Sequence, residues 1–128
     1  MLKKLFVIPA ICCLITLLLV ACGTTSSSAP AGHNEVHMTA NTFAQASITI
    51  KKGESITLVD DTFVPHIIKN GTWENNVAKA AREPGAPEVN DVQINGNGTA
   101  SIGPFTTAGT FKLYCTIHPG MNLTVIVQ

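Results

Sequence analysis

The stretch Phe111-Lys112-Leu113-Tyr114-Cys115-Thr116-Ile117-His118-Pro119-Gly120-Met121-Asn122-Leu123-Thr124-Val125-Ile126-Val127 decides how this chain is read. Phe111, Leu113 and Cys115 alternate with Lys112 and Tyr114, the period of a β-strand that turns one face inward. Leu123, Val125 and Val127 alternate with Thr124, Ile126 and Gln128, which predicts a half-buried last strand. Between the two strands runs a short loop, turned and stiffened by Pro119 and Gly120. It carries a thiol (Cys115), an imidazole (His118) and a thioether (Met121), each three residues after the last.

That spacing is one of metal ligands. A thiolate, two imidazoles and a weak axial thioether form the trigonal set that holds copper in electron-transfer sites. Imidazole suits copper(II) and sulfur suits copper(I), so the mixture serves both oxidation states. The loop supplies three of the four donors, and His66, in Val64-Pro65-His66, is the candidate for the remaining imidazole. Zinc also takes cysteine and histidine, but a structural zinc site wants four strong ligands and methionine is a poor one.

Outward from this loop, from Glu35 onward, the chain consists of short runs rich in Ile, Val, Thr and Phe, separated by glycine and asparagine turns. That spacing reads as an all-β sandwich of seven to eight strands. Ile48 and Ile50 are expected to form a hairpin with Ser55-Ile56-Thr57-Leu58-Val59 across Lys52-Gly53-Glu54. A second hairpin is expected between Val92-Gln93-Ile94 and Ala100-Ser101-Ile102 across Asn95-Gly96-Asn97-Gly98. The run from His66 to Lys69 is expected to end at Asn70-Gly71. From Gly71 to Asn90 the alternation lapses, which predicts a surface excursion with two turns of helix over Asn76-Val77-Ala78-Lys79-Ala80-Ala81-Arg82.

The first residues follow the layout of an export signal: Lys3 and Lys4, an uncharged apolar run from Leu5 to Ala21, then Cys22. Leu19-Val20-Ala21-Cys22 resembles the lipobox of bacterial lipoproteins, which implies cleavage before Cys22 and a diacylglyceryl group on its sulfur. The two acyl chains would give stable anchoring. An uncleaved transmembrane anchor is the alternative, and both readings put the domain outside the cytoplasm, in the cell envelope. The expected organisation is a signal peptide over 1–21, a lipidated cysteine and flexible small-residue tether over 22–34, and one domain over 35–128.

This processing removes Cys12 and Cys13 and consumes Cys22, leaving Cys115 with no disulfide partner, so it must be buried, reactive or metal-bound. The eight basic residues, of which Lys3 and Lys4 leave with the signal, and the eight acidic ones are scattered. No basic stripe suggests nucleic acid. His33 and His37 are read as surface residues and Met38 as core. Trp73 is either a packing residue or a rim contact, and the sequons at Asn70, Asn97 and Asn122 are discounted.

On Pro65-His66 and on Cys115, His118 and Met121 ahead of the last strand, the chain resembles the cupredoxins, the small blue copper proteins, and most of all their amicyanin and plastocyanin branch. The cysteine-to-methionine interval is similar to the short loop of amicyanin. The resemblance spans roughly Glu35 to Gln128 and implies a Greek-key β-sandwich, one type 1 copper ion and one-electron transfer. It departs from the family at Ile67, where an asparagine often ties the ligand loops together. Thr116 through its hydroxyl, and the Ile67 N–H toward the cysteine sulfur, are the expected substitutes around the metal.

Four ligands leave no evident substrate position, so the chain is expected to be a carrier and not an enzyme. Storage or delivery of copper is the alternative use of the same ligands. The expected docking rim surrounds His118 and includes Pro65, Pro104 and Pro119. The expected partners are redox proteins met by a monomer tethered to the membrane: a respiratory or photosynthetic complex, a cytochrome or an oxidase.

Overall fold

The computed structural model describes residues 34–128. The signal expected over 1–21, Cys22, His33 and the expected tether up to residue 33 lie outside the described residues. The described residues form nine strands: β1 (Glu35–Met38), β2 (Ser47–Ile50), β3 (Ile56–Asp60), β4 (His66–Glu74), β5 (Val77–Ala80), β6 (Val92–Ile94), β7 (Thr99–Ile102), β8 (Gly109–Cys115) and β9 (Asn122–Val127). One sheet has the order β1-β3-β7. The other has the order β2-β9-β8-β4-β5, with β6 also on β4. Among the described residues no helix is long and apolar enough to cross a membrane.

Alternation in the sequence becomes layering in space. Val36, Met38, Ile56 and Leu58 of the first sheet face Ile68, Phe111, Leu113, Leu123 and Val125 of the second, all buried in one core. Each such side chain contributes about 1.5–3 kcal/mol on burial. β8 and β9 are antiparallel through six residue pairs, from Gly109 opposite Val127 to Tyr114 opposite Asn122. The ligand loop is therefore the tip of the best-paired hairpin in the sandwich. β4 lies on the other side of β8, with Ile68 opposite Cys115, which brings His66 beside the loop.

Neither hairpin expected from the sequence forms, for one physical reason. The backbone groups of both turns are bonded to other segments, so the chain crosses between sheets. At 51–55, Lys52 N–H donates to the Gln128 carbonyl and Gly53 N–H to the Phe105 carbonyl. β2 thereby stays parallel to β9 while β3 joins β1 and β7. At 95–98 the turn itself exists, with Gly98 N–H on the Asn95 carbonyl. Asn97 N–H, however, donates to the Thr62 carbonyl and Asp60 N–H to that of Gly98, which draws β7 onto β3 and leaves β6 on β4.

The expected helix over Asn76–Arg82 is also absent, and β4 does not stop at Asn70-Gly71. It runs on to Glu74 and turns back into β5, raising the strand count to nine. Asn75 and Asn76 take left-handed φ values of 51° and 61°, the two-residue turn whose twist suits a hairpin. Gly71 (φ 129°) is needed where the strands close, because a Cβ there would lie 2.2 Å from the Lys79 carbonyl oxygen. β5 is exposed along its length, so ladder hydrogen bonds and not burial overrule its helical propensity.

Candidate metal centre

Three elements meet at one end of the sandwich. β4 begins with His66, which is fully buried; β8 ends with Cys115, also fully buried; and the loop to β9 carries half-buried His118 and buried Met121. The loop is closed by its own backbone. Cys115 N–H donates to the Met121 carbonyl at 3.0 Å and Met121 N–H to the His118 carbonyl at 3.1 Å. Gly120 supplies the left-handed residue (φ 80°) that this return requires. Thr116 N–H donates to the Ile67 carbonyl at 2.8 Å, so main chain ties the segment after His66 to the segment after Cys115.

Two imidazole nitrogens converge on one sulfur. Nδ1 of His118 lies 3.3 Å and Nδ1 of His66 3.8 Å from Cys115 Sγ, and the three donor atoms fall within 4.8 Å of one another. A thiol has one weakly donated proton and cannot satisfy two such nitrogens. A metal can. Bonds of about 2.3 Å to sulfur and about 2.0 Å to nitrogen, set trigonally, separate sulfur from nitrogen by about 3.7 Å. The donors are thus spaced for a first-row metal, and the thiolate, two imidazoles and a neighbouring thioether are the chemistry of copper.

Burial pushes the His66 imidazole below its ordinary value of 6.5; the Asp60 carboxylate and the Thr39 backbone oppose the shift, and His118 adds to it. The ring is therefore neutral at neutral pH and keeps a lone pair for a metal.

Chains of such proteins are known. Residues 30–128 match the copper binding proteins of the plastocyanin/azurin family. This chain belongs to that family. Plastocyanin of Ulva prolifera is 31% identical over 88 residues, 67% of this chain and 86% of that protein. Plastocyanin of Scenedesmus fuscus has the same identity over the same shares. In three dimensions the chain is similar to amicyanin from Paracoccus versutus, with a TM-score of 0.57 and 25% identity over 79% of this chain and 86% of that one. The domain is a cupredoxin: a blue copper electron-transfer protein whose cofactor is copper.

His66, Cys115, His118 and Met121 are gathered at one end of this cupredoxin, with Pro65 and Pro119 exposed beside them. Pro104 is not among them. β7 runs away from the copper end, so the 103–105 loop packs on Gly53, Glu54 and Ser55 at the other end, and Phe105 is core and not rim. His37 is partly exposed and bonds the Asp61 carboxylate at 2.8 Å, while Met38 is buried.

Trp73 is a tie. Its Nε1–H donates to the Cys115 carbonyl at 2.7 Å, its edge meets Tyr114, and its main chain exchanges two hydrogen bonds with the Asn122 side chain. Asn70 is buried against Pro87 and Val89, so two of the three sequons have their amides engaged inside the fold.

One residue escaped the sequence reading. Asp60 sits at a core position of β3, in line with Ile56 and Leu58, and its side chain is buried beside His66 with Oδ1 3.8 Å from Nε2. Asp60 Oδ2 and His66 Nε2 are both buried without a hydrogen-bond partner. An unpaired buried polar group costs about 1–3 kcal/mol. The available signal was a carboxylate where alternation calls for an apolar side chain.

Proposed function

We propose that the domain carries single electrons between redox proteins outside the cytoplasm, with one type 1 copper ion held by His66, Cys115, His118 and Met121. The observation that carries this reading is the convergence of two Nδ1 atoms on the Cys115 sulfur, drawn from β4 and from the β8–β9 loop. Bound copper supplies the one-electron couple between its cupric and cuprous states. The chain supplies the rest. His66 and Cys115 are withdrawn from water, and the loop's backbone bonds and the Trp73 indole hold the sulfur's strand end. A donor set fixed in this way needs little rearrangement between oxidation states.

His118 is the ligand nearest the surface. Beside it Ile117 is 45% exposed, and Phe63, on the loop leading into His66, is 87% exposed. With Pro65 and Pro119 these form an apolar rim suited to brief, small interfaces. Pro104 has no part in it. The partners are cytochromes, oxidases, or respiratory or photosynthetic complexes, and the domain acts as a carrier and not as an enzyme. The signal over 1–21 and lipid on Cys22 would tether residues 35–128 to the envelope membrane by the 22–34 segment, raising the effective concentration near membrane-bound partners.

The test is an optical and electron paramagnetic resonance spectrum of the copper-loaded protein, followed by reduction and reoxidation. A strong visible copper–thiolate absorption that bleaches and returns is expected. A colourless protein that retains only cuprous ion would overturn electron transfer in favour of copper storage or delivery.

A further inference from the structure

We propose that Asp60 is a positioning residue for the copper site: it fixes the His66 ring with its proton on Nε2, leaving the Nδ1 lone pair directed at the metal. The inference rests on the reading of His66 as a ligand.

His66 can bind through Nδ1 only if its proton is on the other nitrogen, because a neutral imidazole has one donor and one acceptor nitrogen. The structure aims Nδ1 at the Cys115 sulfur and Nε2 at the Asp60 carboxylate. The two side chains come from different sheets, Asp60 from the end of β3 and His66 from the start of β4, and neither is accessible to water. Their separation of 3.8 Å exceeds a hydrogen bond and is too short for a water in line between them. A small rotation of either side chain closes it.

The carboxylate is itself held. Oδ1 accepts from Thr62 N–H and from the Thr62 hydroxyl, both at 2.9 Å, and Asp60 N–H is bonded to the Gly98 carbonyl. Oδ2 has no partner, and neither has Nε2. The oxygen 3.8 Å from Nε2 is Oδ1, and the same carboxylate keeps Oδ2 free. A buried carboxylate with spare acceptor capacity thus stands beside a lone buried donor, the arrangement in which a carboxylate orients a metal-binding histidine and raises its basicity. The Thr39 backbone also faces the ring. It is the competing acceptor, and the experiment separates the two.

In copper-free protein, nitrogen-15 NMR should find His66 as the Nε2–H form; finding the Nδ1–H form would overturn the proposal without any variant. Asp60→Asn keeps an oxygen for Thr62 but removes the negative charge beside the ring and puts an amide N–H where the free acceptor Oδ2 stood. It should shift His66 toward Nδ1–H, weaken copper(II) binding 10–100-fold, and raise the reduction potential. Each tenfold loss of preference for copper(II) over copper(I) corresponds to about 59 mV in a one-electron couple. Asp60→Glu should restore the tautomer in part. Thr62→Val, which removes the hydroxyl's bond to Asp60 Oδ1 and the one it accepts from Val64 N–H but keeps the Thr62 N–H bond to Oδ1, should lower stability and leave tautomer and potential in place. An Asp60→Asn protein with wild-type tautomer and potential would reduce Asp60 to a cap on the Thr62 loop. His66→Ala separates the two readings: if it retains the blue site, the ligand assignment itself fails, and if it loses copper while Asp60→Asn changes nothing, only the role of Asp60 fails.

Discussion

Where β2 gives way to β3, the Glu54 carboxylate accepts Lys51 N–H at 2.8 Å and the Asn34 amide at 3.2 Å, and Gly53 and Glu54 exchange backbone bonds with Phe105. Where β8 gives way to β9, at the other end of the same sandwich, two imidazole nitrogens crowd one sulfur, and Nε2 of His66 and Oδ2 of Asp60 have no partner. The first end is finished by its own hydrogen bonds, which hold the Glu54 carboxyl below its ordinary value, Lys51 first and Asn34 next. The second is left open in a way that costs stability. A fold retains such unsatisfied groups at functional sites, here donors crowded on one sulfur and a buried imidazole N–H facing a carboxylate, so the difference between the ends locates function as directly as the motif does.

The contrast breaks most completely at the sulfur. Cys115→Ser should abolish the copper–thiolate absorption altogether, and a variant that stayed blue would remove Cys115 from the site. Phe105→Ala probes the other end. Phe105 is fully buried against Phe111, with ring centroids 5.7 Å apart, so its loss should cost about 3–5 kcal/mol in denaturant unfolding while the reduction potential stays put. A potential that moved with it would show that the two ends are not separable.

Met121→Gln sharpens the comparison from within the loop. A harder axial oxygen favours the oxidised ion, so copper should remain while voltammetry finds a lower midpoint, by roughly the 59 mV of a tenfold change in preference. An unchanged midpoint would take Met121 out of the ligand set.

The smallest effect is expected in acid, in copper-free protein. Burial lowers the folded-state value of His66, so the unfolded chain binds more protons as pH falls below 6.5. The contribution of this group is therefore full above that value and is lost progressively beneath it. A pH series of thermal unfolding should show the decline in wild type and a shallower one in His66→Phe.

Much of this was legible in the chain because it is local. Cys115, His118 and Met121 recur three residues apart on one loop, and alternation in 111–115 and 123–127 states which face each flanking strand buries. The same alternation is silent about partners. Both expected hairpins failed because backbone hydrogen bonding does not depend on side chains, and the 51–55 and 95–98 turns were captured by Gln128, Phe105 and Thr62. The helix failed because the Asn75-Asn76 turn gave 77–80 a ladder on β4.

By itself, then, the sequence determined an all-β domain and a candidate copper ligand set, since strand period and donor chemistry are properties of residues read one after another. Only the tertiary structure decided that Pro104 lies far from His118, that the Trp73 indole holds the Cys115 carbonyl, and that Asp60 faces His66 from the opposite sheet. Those are relations between residues that meet only when two sheets close on one core, and no period along the chain encodes them.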